Sequence, residues 1–369
     1  MWMSMWAVER SEIDYFLTRW GLIYRMLNVA VAKSRKKQDG LVTELVNETL
    51  SGNKLSLARL ITRVERDGAD VPQIMKQIYG HLGKAYCVGV TGPPGSGKST
   101  IVDRLTALIR HDGLSVGIIA ADPTSPFTGG AVLGDRIRMQ QHYLDDGVFI
   151  RSMATRGSHG GLPHGTGGVI KLLDAFGKDF ILVETVGVGQ TELDIMQNAD
   201  TVVVVVVPEA GDTIQTMKAG LFEIADIFVV NKADRAGADN LAAELRMMVQ
   251  LRPEEAWWQV PIMATEAIND IGIDELYLQI KNHRRALEET GRLRQRRQER
   301  RRSEFLEIVE HRISNELLKL VEADKELRRR MTIVEAGKID PYSAADEILR
   351  PGTLLTTRSR RLIERKTRG

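Results

Sequence analysis

Gly92-Pro93-Pro94-Gly95-Ser96-Gly97-Lys98-Ser99 fits the G-x-x-x-x-G-K-[ST] pattern of a phosphate-binding loop. Its surroundings are the ones that pattern needs. Apolar Tyr86 to Val90 reads as a strand before it, and Ile101, Leu105 and Leu108 share one face of a helix after it. Glycines at 92, 95 and 97 let the backbone turn tightly and aim N–H groups at phosphate oxygens, while the helix N-terminus adds partial positive charge. Pro93, Pro94, Ser96 and Thr100 complete the expected nucleotide-contacting run. Lys98 is expected to reach the β- and γ-phosphates as a catalytic group, and the Ser99 hydroxyl to ligate magnesium. The plain alternative is a glycine-rich turn that binds nothing; strand, loop, lysine, hydroxyl and helix in order argue against it.

Downstream, Asn231-Lys232-Ala233-Asp234 follows the apolar strand Ile227 to Val230, at a carboxyl end, where open α/β sheets bind ligands. A carboxylate at Asp234 can accept from both the ring N–H and the exocyclic amino group of guanine, donors that adenine does not present on that edge. An adenine nucleotide would leave it unpaired, so Asn231, Lys232 and Asp234 are expected to select GTP. Alone, N-K-x-D also describes a solvated loop; its position after a phosphate loop and at a strand end gives it meaning.

Between and around these loops, strand-like runs alternate with helix-like ones: Cys87 to Thr91, Val116 to Ala121, Val148 to Met153, Phe180 to Glu184, Thr201 to Val207, Ile227 to Val230 and Val260 to Ala264. Such alternation predicts right-handed βαβ units, hence an α/β P-loop NTPase with a mainly parallel, doubly wound sheet and both loops on one edge. The six valines Val202 to Val207 read as a fully buried central strand.

The 369 residues allow one large α/β domain with helical additions. A formal charge of +2 demands neither a polyanion nor a membrane surface as partner. The lone Cys87, inside a predicted strand, reads as a small core residue, and no cysteine cluster is available for zinc or iron–sulfur. Met1-Trp2-Met3-Ser4-Met5-Trp6 lacks a basic lead and meets Glu9 and Arg10 too early for a signal peptide. No apolar run approaches the roughly 20 residues of a membrane helix. A cytoplasmic protein without a membrane partner is expected.

Four segments follow. Residues 1–38 match no helical plan, and Met26 is an alternative start. Residues 39–84 hold two amphipathic helices around Ser51-Gly52-Asn53, with Leu41, Val42, Leu45 and Val46 on one and Leu57, Leu60, Ile61 and Val64 on the other. Residues 85–275 form the nucleotide domain, and 276–369 a helical arm and tail. Residues 281–302 carry one Lys and nine Arg against three Glu, a local excess of +7. Such a run can bind nucleic acid. No aromatics interleave with it, however, and Glu288, Glu289 and Glu299 offer intrahelical pairs, so a solvated helix is preferred. Beyond it, Leu306, Val309, Ile313, Leu317, Leu320 and Leu327 form a stripe that would bury against the body or a second subunit.

Acidic strand ends supply the metal chemistry. Glu184 opens Glu184-Thr185-Val186-Gly187, an E-x-x-G in place of the commoner D-x-x-G; its carboxylate can hold magnesium, and the Gly187 N–H can meet the γ-phosphate. Asp122 and Asp135 can complete the magnesium shell or orient the attacking water, with helix capping or loop solvation as the alternative. Segments 157–168 and 209–213 read as mobile loops, and His159 and His164 in the first have no nearby Cys. Gln190 lies three residues past Gly187, so Ras-type water orientation is not supported. Arg136, Arg138 and Arg156 are the in-chain candidates for an assisting arginine, with a structural ion pair the preferred role of each. Slow intrinsic turnover, completed by a partner, is expected.

Asp122-Pro123-Thr124-Ser125-Pro126-Phe127-Thr128-Gly129-Gly130, Gly134-Asp135-Arg136-Ile137-Arg138-Met139, Ala154-Thr155-Arg156-Gly157 and Glu184-Thr185-Val186-Gly187-Val188-Gly189-Gln190 together resemble the ArgK/MeaB family, G proteins that act as chaperones of methylmalonyl-CoA mutase. The likeness runs from about residue 41 through Asp340-Pro341-Tyr342 and Ile348-Leu349. It implies a homodimeric GTPase, joined through its C-terminal helical arm, that docks on an adenosylcobalamin-dependent acyl-CoA mutase. There it would gate cofactor loading and protect or reactivate the mutase, with GTP hydrolysis timing release. It further implies Ser99, Asp122, Asp135 and Glu184 as magnesium residues, Lys98, Asp135 and Gly187 as catalytic, and 211–218 as a nucleotide-sensing switch. The guanine contact would be completed near Ala264-Thr265, although Met263-Ala264-Thr265 departs from the usual Ser-Ala start. Three other readings compete. Nickel-insertion GTPases would need a Cys/His cluster, a small-substrate kinase lacks an acceptor pocket, and an RNA-binding module rests only on the arginine run.

Overall fold

A computed structural model describes residues 39–122, 139–154, 162, 165–186, 195–208, 219–250 and 257–349. The chain separates into two compact units, one ending at Arg297 and one starting at Gln298. The first unit is built on seven parallel strands: β1 (Tyr86–Thr91), β2 (Val116–Asp122), β3 (Val148–Ala154), β4 (Phe180–Glu184), β5 (Thr201–Val206), β6 (Ile227–Asn231) and β7 (Ile262–Thr265). Their order across the sheet is β3-β2-β4-β1-β5-β6-β7. The sheet is therefore parallel and doubly wound, as the alternation of runs predicts. All seven strand positions agree with expectation to within two residues. The last starts later because Pro261 has no N–H for a ladder; it contributes only a carbonyl, to the Phe228 N–H at 3.0 Å.

Both faces are apolar, which explains the valine run. Val203 and Val205 join Val88, Val90, Ile118 and Leu182 on a face covered by α4 (Lys98–His111) and α8 (Ile273–Glu289). Val202, Val204 and Val206 point the other way, with Cys87, Ile119, Ile181 and Val183, toward α2 (Lys54–Glu65), α5 (Thr166–Ala175) and α7 (Ala238–Gln250). A strand buried on both sides has no polar face to alternate with.

Two amphipathic helices precede the sheet, as their spacing predicts: α1 (39–50) and α2, separated by a turn whose Asn53 caps α2 by accepting from the Ser56 N–H at 3.0 Å. Val42, Leu45, Val46, Leu57, Leu60, Ile61 and Val64 are buried. A third helix, α3 (Val71–Ile78), joins them, with Pro72 tolerated in its first turn. The remaining helix of the unit is α6 (Ala219–Ile224).

At the amino edge of the sheet the basic run finds its partners. Asp200 and Asp226 immediately precede β5 and β6 and are buried. Arg297 donates to Asp200 at 2.7 Å and to the carbonyls of Gly83 and Ala85, while Arg296 forks onto Asp226 at 2.9 and 3.1 Å. Asp226 also accepts from the Val202 N–H and faces the buried His283. Burial alone would raise the pKa of Asp226, but His283 and Arg296 hold it below the ordinary carboxylate value. Lys281 meets Asp112, and Arg284 pairs with Glu288 one turn on. Trp257, outside the run, lies under Arg292 and Arg296. Three of the seven excess charges thus meet carboxylates outside the run.

His142 gives a second ionic anchor. Its ring is buried against α4, 3.2 Å from both the carboxylate and the carbonyl of Asp103. Burial pushes its pKa down, but the bonds to Asp103 outweigh burial and hold it above the ordinary imidazole value. A raised pKa stabilises the fold fully below the unfolded value of about 6.5, and the gain is lost as pH rises through the folded value. Urea midpoints should therefore fall on going from about pH 5.5 to about pH 8.5, and His142→Gln should flatten that fall.

The second unit contains most of α9 (Arg292–Ala323), α10 (Lys325–Glu335) and α11 (Pro341–Leu349). Asp324 caps α10, accepting from the Glu326 and Leu327 N–H groups. Of the expected apolar stripe, Leu327 is buried, whereas Leu306, Ile313 and Leu317 are exposed along with Phe305, Ile308 and Leu318.

Candidate nucleotide site

The phosphate loop connects β1 to α4, as its sequence pattern predicts. Gly92 has φ of 138°, and a Cβ there would lie 2.0 Å from the Val205 carbonyl oxygen. Gly97 has φ of 94°, and a Cβ would meet the Asn231 amide at 2.2 Å. Only glycine fits either place. Ser96 is buried and Pro94 and Gly95 form the exposed tip, with Pro93 and Thr100 half-buried. Lys98 curls back over the loop, donating from Nζ to the carbonyls of Gly92 at 2.9 Å and Pro93 at 3.0 Å. The loop's own carbonyls thus hold the ammonium against the turn that would receive a phosphate. Lys98→Ala should lower kcat by about 10²- to 10³-fold, the usual effect of removing one donor to transition-state charge; phosphate release at saturating GTP measures it.

Strand alternation brings two of the expected acidic residues to the face of the sheet that carries α4. Glu184 lies two residues beyond Leu182 and Asp122 four beyond Ile118, and both of those apolar residues pack on that face. Both carboxylates are nearly fully buried, at 4% and 3% exposure. Glu184 accepts from the Ser99 hydroxyl at 2.6 Å. A hydroxyl touching one buried carboxylate, with a second at the same edge, is a hard-oxygen donor set that fits magnesium. Among the described residues no group of three or more His, Cys, Asp or Glu side chains forms a metal cluster.

The N-K-x-D loop meets the phosphate loop through one amide. Asn231 Nδ2 donates to the Ser96 carbonyl at 2.8 Å, while Oδ1 accepts from the Thr265 hydroxyl at 3.0 Å and the Ala267 N–H at 3.1 Å. Lys232 turns the chain sharply, with φ of 58°, so that the Ala233 N–H reaches the Thr265 carbonyl. Asp234 is exposed beyond that turn, as is Ala264. Ala267 was not among the residues expected from the sequence. Its signal was faint: a small residue just past the strand end, three positions beyond Ala264. Asp135, Gly187, Gln190, Arg136, Arg138, Arg156, His159, His164 and 209–218 lie outside the described residues.

The family described as methylmalonyl Co-A mutase-associated GTPase MeaB matches residues 57–322. The chain belongs to the ArgK/MeaB family of P-loop GTPases. Among ArgK/MeaB relatives, a Pyrococcus abyssi protein named as a GTPase is 52% identical over 316 residues, 84% of this chain and 96% of its own. The Caenorhabditis elegans methylmalonic aciduria type A homolog, mitochondrial, is 30% identical over 331 residues, 85% of this chain and 83% of its own. The solved structure of a LAO/AO transport system kinase superposes with a TM-score of 0.62 at 26% identity, over 84% of this chain and 96% of that one. As an ArgK/MeaB member, the chain is a GTP hydrolase.

Proposed function

We propose that this GTPase is a G-protein chaperone of a cobalamin-dependent acyl-CoA mutase, with methylmalonyl-CoA mutase as the default client. It would gate adenosylcobalamin loading and protect or reactivate the mutase. The observation that carries this reading is the family match across 57–322, whose description names that mutase. Residues 92–100 would hold the phosphates, with Lys98 on the β- and γ-oxygens. Asn231, Lys232 and Asp234 would hold the base, with the backbone of 264–267 completing the contact. Ser99, Asp122, Asp135 and Glu184 would hold magnesium, which when bound offsets phosphate charge. The Gly187 N–H would sense the γ-phosphate, and Asp135 would assist the attacking water.

In this reading 39–84 is a helical support, 85–275 the GTPase and 276–369 the arm. The exposed side chains Leu306, Ile313 and Leu317 support a homodimer joined through that arm. No described helix is long and apolar enough to cross a membrane. A cytoplasmic site of action, without membrane or nucleic-acid partners, is part of the proposal.

A nucleotide moves a loop equilibrium only by its different affinity for the two states, so a client that prefers one state must change nucleotide affinity in return. GTP hydrolysis with magnesium, measured alone and with the native methylmalonyl-CoA mutase, tests the reading. Slow turnover accelerated by the mutase is expected, with a shift in GDP affinity of about 5- to 150-fold, both lost in Asp234→Ala. Unchanged turnover, with no complex under any nucleotide, would rule this client out.

A further inference from the structure

The phosphate loop is bracketed by two hydroxyl residues, Thr91 at the end of β1 and Ser99 in the first turn of α4. Both brackets bond to one dipeptide. Ser99 Oγ meets Glu184 on the face covered by α4. On the opposite face the hydroxyls of Thr91 and Thr185 lie 2.9 Å apart, at 0% and 1% exposure. The Thr185 N–H also donates to the Val90 carbonyl at 3.1 Å, carrying the β1–β4 ladder one residue beyond Glu184.

A pair of valines would match these threonines in shape, and the layer beneath them is apolar, with Cys87 and Val183 on the same face. What hydroxyls add is direction and distance, because a buried hydroxyl that loses its partner is costly. We infer that Thr185, latched to Thr91, is a positioning residue that holds the Glu184 carboxylate at the metal position from the face of the sheet opposite Ser99. The inference rests on the magnesium reading of Ser99 and Glu184. A hydroxyl ligates a cation through an oxygen lone pair and keeps its O–H to donate, so Ser99 would tie Glu184 on one face of the sheet while the threonine latch ties the same dipeptide on the other.

Thr185→Val, Thr91→Val, the double variant and Thr185→Ser separate the possibilities. Magnesium is titrated against GTP hydrolysis and against the fluorescence of bound N-methylanthraniloyl-GDP, with melting temperature recorded in EDTA. Each valine variant should raise the magnesium midpoint about tenfold, the scale of one lost buried hydrogen bond. GDP affinity in EDTA should stay unchanged, the double variant should be no worse than either single one, and Thr185→Ser should titrate like the wild type. Valine variants that melt earlier yet titrate magnesium like the wild type would overturn the latch and leave the metal site standing. A wild-type protein with no magnesium dependence would overturn both.

Discussion

Asp234→Asn is expected to convert a GTP-selective protein into one that prefers XTP. Guanine offers two donors on the edge that Asp234 would read, its ring N–H and exocyclic amino group, and a carboxylate accepts both. Xanthine keeps the ring N–H but replaces the amino group with a carbonyl, which an asparagine can meet with one acceptor and one donor. Sites built on such matched hydrogen bonds discriminate by a factor on the order of 10⁴, because the wrong base leaves buried polar groups unpaired. Competition of GTP and XTP for the fluorescent nucleotide measures the preference. The two loops are joined through Asn231 rather than Asp234, so the exposed Asp234 can change without loosening the site. An Asp234→Asn protein that still ranks GTP far above XTP would remove this carboxylate from base selection.

Asp226→Ala should cost about 3–5 kcal/mol of stability, the usual result of removing one partner of a buried ionic cluster. Its carboxylate serves Arg296, the Val202 N–H and His283 together, and the truncation removes that shared acceptor from all three. Asp226→Asn should cost less, since the amide oxygen still accepts from Val202. Denaturant midpoints for the two variants give the ranking. Equal, small losses would mean that the cluster is solvated rather than structural.

Much of the geometry of the candidate nucleotide site was legible because it is local. A phosphate loop spans eight residues, and its strand and helix flank it directly. N-K-x-D likewise follows its own strand, and parallel order then forces both loops to one edge. What escaped is what depends on partners far away in sequence. Nothing within R-Q-R-R-Q-E-R-R-R distinguishes Arg296 and Arg297 from their neighbours; the distinction comes from Asp226 and Asp200, 70 and 97 positions away. A trace did exist, since Ala-Asp stands before both buried strands, at 199–200 and 225–226. Thr91 and Thr185 read as ordinary β-branched residues until the sheet sets them side by side. The short α3 hid behind Pro72, which usually signals a break rather than a first turn. The expected apolar stripe keeps its helical spacing along α9 but is broken at Asp324, which puts Leu327 on α10, and spacing carries no information about what, if anything, covers it.

The single amide of Asn231 has a thermodynamic meaning as well as a geometric one. Because it closes the phosphate loop, the base loop and the end of β7 in one set of bonds, neither half of the ligand meets a half-site that is organised independently. Pyrophosphate, by steadying Ser96, lowers the ordering cost of the base loop, and guanosine does the converse. The two fragments should therefore bind cooperatively, so that part of the affinity for the intact nucleotide lies in the coupling that this one side chain carries between the loops.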